Sequence, residues 1–291
     1  MLAGRRYRLE LTTEQALFAE RIGGICRAVW NTALEQRRAY RRRGASIGYA
    51  EQCRQLAAAK TDFPWLAEAP SHCLQQTLND LDRAVAAHGV GRVRWKSRQK
   101  TRPSFRFPEG KRLTVEKINR KWGRVRLPKF GWVRFRRSRP LGGQVRSATL
   151  TRDGRHWFIS FLVEDGHPTP QMHDGPAVGV DRGVVSAAVT SDGEFYDRRN
   201  VTSADVSSFH PPAEDRKERA AERGYLSAGE AKRHLRLQRR LARSRPGGSG
   251  RRRVVVKLAG VMRRVRRRRA DFNAQAAHRL TARYGLIVLE D

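Results

Sequence analysis

Two short apolar runs of this sequence each end in a carboxylate: Val178-Gly179-Val180-Asp181 and Ile287-Val288-Leu289-Glu290. Continuous apolar runs of this length are typical of strands that are buried on both faces of a parallel sheet. If the two strands lie side by side and parallel, their carboxyl ends place Asp181 and Glu290 in the crevice where open α/β sheets hold their sites. The pattern predicts an α/β domain with a pair of acids at one edge of its sheet.

Paired carboxylates at such an edge are suited to Mg²⁺, because this hard cation prefers oxygen ligands. Two-metal nucleases use acids in this way to fix ions that activate a water and stabilise the leaving oxygen of a phosphodiester. The alternative is that Asp181 only hydrogen-bonds the turn after its strand and that Glu290 is an ordinary polar strand end. For an arbitrary strand-end acid we would prefer this alternative, but the order of the neighbouring elements favours the metal site.

The elements between the two acids follow an order that few soluble folds need. A strand over 184–189 comes first, and a basic helical hairpin that turns at 246–250 precedes the second acid-ended strand. Ten of the twenty residues from Arg251 to Ala270 are Lys or Arg, while the apolar residues of this arm recur at helical spacing. This is the order of a RuvC/RNase H-like α/β domain, which we predict for residues 171–291 after a proline-rich linker.

The first 88 residues predict one strand followed by helices. Residues 5–11 alternate apolar and charged side chains, as a half-buried strand does. Thr12 and Gln15 form a capping box ahead of an apolar helical stripe, and two further helical stretches follow. An isolated first strand would leave its backbone groups unpaired. We therefore expect it to join later strands, which makes residues 12–88 an inserted helical domain.

Residues 89–170 change to short apolar alternations broken by Gly and Pro, which predict antiparallel strands. Asp153-Gly154 is a tight-turn signal that joins the last two strands in a hairpin. Together with residues 1–11 these strands predict an antiparallel β-barrel or sandwich, so the whole chain is expected to be an α+β multidomain protein. The predicted strands are 113–115, 125–127, 132–135, 145–150 and 157–163.

The charge of the chain points to a polyanionic partner. Its 61 Lys and Arg against 28 acidic residues give a net charge of +33, more than solubility requires. Each phosphate that a cation neutralises releases condensed counterions, so nucleic acid is the expected partner. We find no apolar run of membrane-spanning length and no signal-peptide core. We therefore expect a cytoplasmic protein without a membrane partner. Oligomeric state is not predicted.

Three cysteines, Cys26, Cys53 and Cys73, are widely separated along the chain. They lack the C-x-x-C spacing of a zinc site and the even count of a disulfide framework. We expect each to be a small buried hydrophobic residue in a reducing compartment. Between 92 and 139 aromatic residues alternate with cations in a way that can stack bases and hold phosphates. Half or more of these aromatics are expected to be core residues, because alternating strands bury one face.

The chain resembles the TnpB family of transposon-encoded, RNA-guided DNA endonucleases. The stretch 179–183, Gly-Val-Asp-Arg-Gly, with Asp192-Gly193 downstream, is similar to the first RuvC motif of that family, and 287–291 is similar to the second. Residues 237–243 and the pair Asp271-Phe272 resemble the helices before the second motif. Leu74-Gln75-Gln76, Leu81 to Ala84 and Ser104 to Pro108 resemble its helical domain and the start of its wedge-like β domain. The resemblance extends over essentially the whole chain.

The resemblance implies Asp181 and Glu290 as catalytic, Mg²⁺-binding residues, a guide RNA and a double-stranded DNA target as partners, and a nucleoid-associated protein of a bacterium or archaeon. It also implies that two basic runs contact nucleic-acid backbones. The first comprises Lys96, Arg98, Lys100 and Arg102, and the second comprises Arg263, Arg264, Arg267 and Arg268. The alternative for any charge run is a solvated face.

The family's third catalytic aspartate and its two C-x-x-C zinc pairs follow the second motif and are not among these 291 residues. We therefore expect a C-terminally truncated chain with an incomplete nuclease domain, no zinc site, and no cleavage by the chain alone. The alternative function is an RNA-guided or plain DNA-binding protein without cleavage. A ribosomal-type RNA-binding protein would explain the charge but not the acid-ended strands. A strand-joining transposase is disfavoured, because we see no nucleophilic tyrosine near a histidine pair.

Overall fold

The computed structural model describes residues 1–166, 174–181, 187–196 and 225–289. The chain divides into two compact units, Met1–Thr169 and Pro170–Asp291. Each unit has helices and a sheet of its own, so the chain is an α+β multidomain protein, as predicted. No helix in the described ranges is long and apolar enough to cross a membrane.

Unit 1 opens with strand β1 and four helices. The predicted capping box is present at the start of the first helix: the Gln15 amide donates to Thr12 Oγ1, and the Thr12 amide donates to Gln15 Oε1, both at 3.2 Å. The short third helix, which was not predicted, begins with a proline at its first position. The bounds are β1 (Leu2–Glu10), α1 (Thr13–Arg42), α2 (Tyr49–Asp62), α3 (Pro64–Glu68) and α4 (Ser71–His88).

A buried arginine connects three of these helices. Arg37 of α1 donates from Nε to Gln52 of α2 at 2.9 Å and from Nη2 to Asp82 of α4 at 2.8 Å. A buried charge is tolerated when it is paired and hydrogen-bonded in this way. Of the three cysteines, Cys26 and Cys73 are buried and Cys53 is half-buried. Burial raises the pKa of the Cys26 thiol to about 11.

The sheet of unit 1 has seven antiparallel strands in the order β2-β6-β7-β1-β5-β4-β3. β1 lies in its centre between β7 and β5, which confirms that the first strand joins later ones. The predicted hairpin is also present, with Asp153 opposite His156 and Gly154 at a φ of 65°. The strands are β2 (Ser104–Phe107), β3 (Thr114–Lys117), β4 (Trp122–Leu127), β5 (Gly131–Arg136), β6 (Gln144–Asp153) and β7 (His156–Glu164), with a 3₁₀ turn at Gly110–Arg112.

No closed barrel is found in the described part of unit 1, because β2 and β3 end the sheet without pairing with each other. The reason lies in the core: α1 and α4 share one apolar cluster with the inner face of the sheet, so helices cover the face that a barrel would close over. The separation of unit 1 into a helical domain at 12–88 and a β domain at 1–11 and 89–170 remains a prediction.

Unit 2 has a four-stranded sheet in the order β10-β9-β8-β11 and a long helical hairpin. β8 and β11 are parallel, whereas β9 and β10 form antiparallel pairs. The strand predicted over 184–189 is observed as β9 only at its end, and residues 182–186 lie outside the described residues. The elements are β8 (Ala177–Asp181), β9 (Ala188–Thr190), β10 (Phe195–Tyr196), α5 (Ala228–Ala242), α6 (Ser249–Arg283) and β11 (Leu286–Leu289).

Candidate functional site

The parallel pair β8 and β11 defines the candidate site in unit 2. Val178 pairs with Ile287 and Val180 pairs with Leu289, so the two strands end at the same level. Asp181 is the last residue of β8 and is exposed to solvent. Glu290 follows Leu289 directly in the sequence and lies outside the described residues.

The orientation of β8 follows from its alternation. Val178 and Val180 are buried in the apolar cluster that α6 covers with Phe272 and Leu280, so Asp181 is on the opposite face of the strand. The backbone of Gly179 is held on both sides of the peptide: its amide donates to Ser191 Oγ at 3.1 Å, and its carbonyl accepts from the Ser191 amide at 2.8 Å. The core and the neighbouring strand thus fix the strand that carries Asp181.

Asp192, the other acid in the stretch that resembles the first RuvC motif, does not lie beside Asp181. The β8–β9 register places Val180 opposite Thr190, so Asp192 lies toward the beginning of β8 rather than at its carboxyl end. Hydrogen bonds from Thr190 and from the hydroxyl of Tyr284 lower the pKa of Asp192. Burial, together with the bond to Asp192, raises the pKa of Tyr284 to about 12. This contact holds the end of α6 against the sheet and is structural.

Asp181 is therefore the one predicted metal ligand that can be located. Among the residues the structure describes, no three His, Cys, Asp or Glu side chains form a group suited to a metal ion. The available donor is a single exposed carboxylate beside the strand end that leads to Glu290. A carboxylate oxygen of this kind fits Mg²⁺ in type, since Mg²⁺ binds through one or two carboxylates and keeps several waters.

The basic side chains of α6 are partly used within the helical hairpin. Glu230 of α5 accepts from Arg264 at 2.6 Å and from Arg268 at 2.5 Å, and Arg268 also donates to the Tyr225 carbonyl. These arginines, with the Ser227 cap, lower the pKa of Glu230 to about 2, the bond from Arg268 contributing most. Arg264 and Arg268 are thus bound within the hairpin. Arg263 is half-buried and Arg267 is exposed.

The four cations of the first basic run are in four different situations. Lys96 is half-buried over the ring of Trp30, and Arg102 pairs with the buried Asp153 at 3.2 Å. Arg98 and Lys100 are exposed in the turn between them. The spacing of these residues along the chain did not distinguish their roles. Alternate residues share a face in a strand, but they do not in an irregular loop. The aromatics nearby divide as expected, with Phe105, Phe107, Phe130 and Phe135 buried.

The motifs of the sequence did not indicate one group of residues. Arginine and tryptophan alternate with buried residues in β4 and β5, so that they share the outer face of the sheet of unit 1. The alternation of 122–127 and 131–136 in the printed sequence is the signal that could have revealed this face.

Comparison with known proteins adds three findings. A family model, HTH_OrfB_IS605, described as a helix-turn-helix domain, matches residues 1–45. A putative RNA-guided DNA endonuclease InsQ from Escherichia coli (strain K12) is 33% identical over 201 residues, which are 67% of this chain and 48% of that protein. A putative RNA-guided DNA endonuclease from Streptomyces pristinaespiralis is 31% identical over 297 residues, or 98% of this chain and 66% of that protein.

The chain thus spans about half to two thirds of the length of the curated relatives it matches. Among solved structures, a chain of the Cas12f1-sgRNA-target DNA complex determined by cryo-EM aligns with a TM-score of 0.48 and 11% identity, over 97% of this chain and 65% of that chain. The residues matched by the helix-turn-helix model contain β1 and the single continuous helix α1, and the match ends before α2 begins at Tyr49.

Proposed function

Because the chain belongs to the TnpB family, we propose that it acts as an RNA-guided DNA endonuclease of transposon origin. It would bind a guide RNA and a double-stranded DNA target, with base pairing to the guide selecting the target sequence. The protein would then provide contacts to the nucleic-acid backbones and a cleavage site, and it would not need to recognise the whole target sequence itself.

The observation that carries the proposed chemistry is the parallel register of Val180 with Leu289. It supports a site in which Asp181 and Glu290, the next residue of each strand, hold Mg²⁺ together in a RuvC-like domain. When bound, Mg²⁺ would supply the activation of a water and the stabilisation of the leaving oxygen. The two carboxylates would fix the position of the scissile phosphate relative to the attacking water, because they are carried by strands that the core of unit 2 orients.

Positive charge on each of the two units supports the same function. We propose that Arg98 and Lys100 of unit 1 and Arg263 and Arg267 of unit 2 contact phosphates, as the resemblance to the family implies. Arg264 and Arg268 are already bound to Glu230, so they would add only to the long-range electrostatic attraction of nucleic acid. Contacts of this kind position the nucleic acid and carry no sequence information themselves.

Because this chain spans only half to two thirds of its curated relatives, the proposal is tested in the full-length gene product with guide RNA, a guide-matched DNA duplex and Mg²⁺, comparing the wild type with Asp181→Asn. We expect the substitution to reduce the cleavage rate at least about a hundredfold, as loss of a metal ligand does, and to leave DNA binding unchanged. Asp271→Asn is the matched control: Asp271 is an exposed acid of α6 bonded to Gln275, and its loss should leave the rate unchanged.

Equal cleavage by the wild type and Asp181→Asn would refute the proposed site. Guide-dependent binding of the target without any product, in the wild type as well as the variant, would instead establish the alternative function of a non-cleaving RNA-guided binder. Loss of target binding in Asp181→Asn would show that the aspartate acts on folding or on DNA contact.

A further inference from the structure

The outer face of the unit 1 sheet carries six arginines on three adjacent strands. Strand alternation puts them opposite the buried core residues, and neighbouring strands are about 4.8 Å apart, so the patch is about 10 Å across. On these three strands and β3, two acids, Glu10 and Glu116, lie on the same face, and Asp153 of β6 lies 4.0 Å from Arg6. The six are Arg6 and Arg8 of β1, Arg134 and Arg136 of β5, and Arg124 and Arg126 of β4.

The cross-strand register makes like charges face each other. Arg8 is directly opposite Arg136, and Arg134 is directly opposite Arg124. Like charges at directly opposed positions destabilise an antiparallel pair. Glu116 bonds Arg124 at 2.7 Å, and Glu10 lies directly opposite Arg134, so part of this repulsion is relieved; Arg8 and Arg136 have no acid between them in the register. A local rule that is broken in this way is more often broken at a functional surface than elsewhere.

The aromatic side chains on this face already lie beneath arginines. The Arg124 guanidinium is 4.3 Å from the ring centre of Trp132, and those of Arg134 and Arg136 are 5.0 and 5.4 Å from that of Trp122. Stacking of this kind holds a guanidinium flat while its N–H edge stays available for hydrogen bonds. The surface therefore presents ordered arginine edges to solvent, with rings serving as their support.

We propose that this face, the arginine sheet face, binds the phosphate backbone of a double-helical nucleic acid. The guanidinium groups match phosphate oxygens in geometry and charge. A single strand would bind by stacking its bases on open aromatic rings, and here arginines cover those rings. The inference rests on the proposed function only in taking nucleic acid as the polyanion, because the site is in unit 1 and does not involve Asp181.

The test compares two triple variants of the full chain that lose the same charge. The first, Arg8→Gln/Arg134→Gln/Arg136→Gln, neutralises the arginine sheet face. The second neutralises three exposed arginines of helices and a turn, and consists of Arg54→Gln/Arg83→Gln/Arg120→Gln. Binding to a 20-base-pair RNA duplex, a 20-base-pair DNA duplex, a 20-nucleotide single strand and phosphatidylserine vesicles is measured over a series of salt concentrations.

We expect the sheet variant to bind at least one of the two duplexes roughly tenfold or more weakly, and its salt dependence to lose about two to three phosphate contacts, at about 0.9 in slope for each. The control triple should change either value by less than half as much. The two triple variants should have similar affinities for the single strand and for the vesicles. Because opposed positive charges are removed, the thermal unfolding temperature of the sheet variant should stay equal or rise.

Equal effects of both triples on both duplexes would overturn the proposal. It would also be overturned by a selective loss of single-strand binding, which would indicate base stacking, or of vesicle binding, which would indicate a lipid surface. A fall in unfolding temperature with unchanged duplex binding would assign the arginines a structural role. None of these results depends on cleavage, so Asp181→Asn, which should bind duplexes normally, separates failure of this inference from failure of the proposed function.

Discussion

The Lys96 ammonium lies 3.5 Å from the centre of the Trp30 ring, where the loop that follows α4 contacts α1 just before the basic turn at 97–102. The backbone of Lys96 is fixed to the same helix, since its amide donates to Asn31 Oδ1 and its carbonyl accepts from Asn31 Nδ2, both at 2.9 Å. Burial lowers the pKa of Lys96. The first cation of the predicted basic run is thus an anchor for that run, whereas Arg98 and Lys100 are exposed to solvent.

Lys96→Met tests this difference in role. We expect binding to a nucleic-acid duplex to weaken less than twofold, because the ammonium is directed at Trp30, while the free energy of unfolding changes by about 1 kcal/mol or less as a lost cation–π contact offsets the relief of burial. Arg98→Gln/Lys100→Gln should instead weaken binding and reduce its salt dependence by about 1 to 2 contacts.

Fluorescence anisotropy at several salt concentrations and urea unfolding give both quantities. The assignment would be wrong if Lys96→Met reduced the salt dependence as much as the double variant does. It would also be wrong if the double variant bound duplexes with wild-type affinity and slope.

Gly23 of α1 is the position that allows the basic turn to approach the helix. A Cβ added there would be 2.6 Å from Cβ of Pro103, whereas one added at Gly24 would meet only Arg27 Nη2, at 3.7 Å. We predict that Gly23→Ala lowers the free energy of unfolding by about 1–3 kcal/mol through overpacking. Gly24→Ala should raise it by up to about 1 kcal/mol through helix propensity.

Urea unfolding followed by circular dichroism measures both variants under the same conditions. A stabilised Gly23→Ala would show that Pro103 moves away without cost and that the turn is not held against α1.

Local patterns predicted much of unit 1. The capping box of Thr12 and Gln15, the central pairing of β1 and the hairpin at Gly154 all follow from interactions between residues close in sequence or from the need to pair a strand. The absence of a closed barrel in the described residues did not follow from them. That outcome depends on α1 and α4 competing for the inner face of the sheet, and alternation within a strand does not report which partner covers it.

Glu230 should make the helical hairpin of unit 2 sensitive to acid. Its pKa is lowered from 4.5 to about 2, so the folded state binds fewer protons than the unfolded state between these values. The stabilisation by Arg264 and Arg268 is complete above about pH 4.5 and is lost as the pH falls toward 2. We predict that Glu230→Gln lowers the free energy of unfolding by about 1 kcal/mol at pH 7 and that the difference from wild type vanishes toward pH 2.

Unfolding of the two proteins at pH 3, 4, 5 and 7 provides the test. Ser227→Ala is the matched control, because it removes the hydroxyl that caps α5 at the Glu230 amide and keeps the carboxylate with its arginines. Its deficit should persist at low pH. A constant difference between Glu230→Gln and wild type at all four pH values would contradict the ion-pair account.

The candidate site shows a different limit of prediction from sequence. The two acid-ended runs predicted a parallel pair, and β8 and β11 are parallel neighbours. The expected burial holds for Val178 and Val180 of β8, whereas Leu286, Val288 and Leu289 of β11 are exposed. The basic side chains were harder to interpret: Arg264 and Arg268 resemble Arg263 and Arg267 in the sequence, and nothing there indicates that Arg264 and Arg268 bind Glu230 of α5. Such a partner comes from a residue more than thirty positions away, which no local pattern contains.

The most direct test of the whole account is Mn²⁺ binding, followed by electron paramagnetic resonance and competed with Mg²⁺, in a double-mutant cycle of Asp181→Asn and Glu290→Gln. If the two carboxylates hold one cation site, each single substitution should weaken binding about tenfold or more, and the double variant should bind scarcely more weakly than either single one. Wild-type affinity in both single variants, or losses that simply add in the double variant, would contradict a shared site.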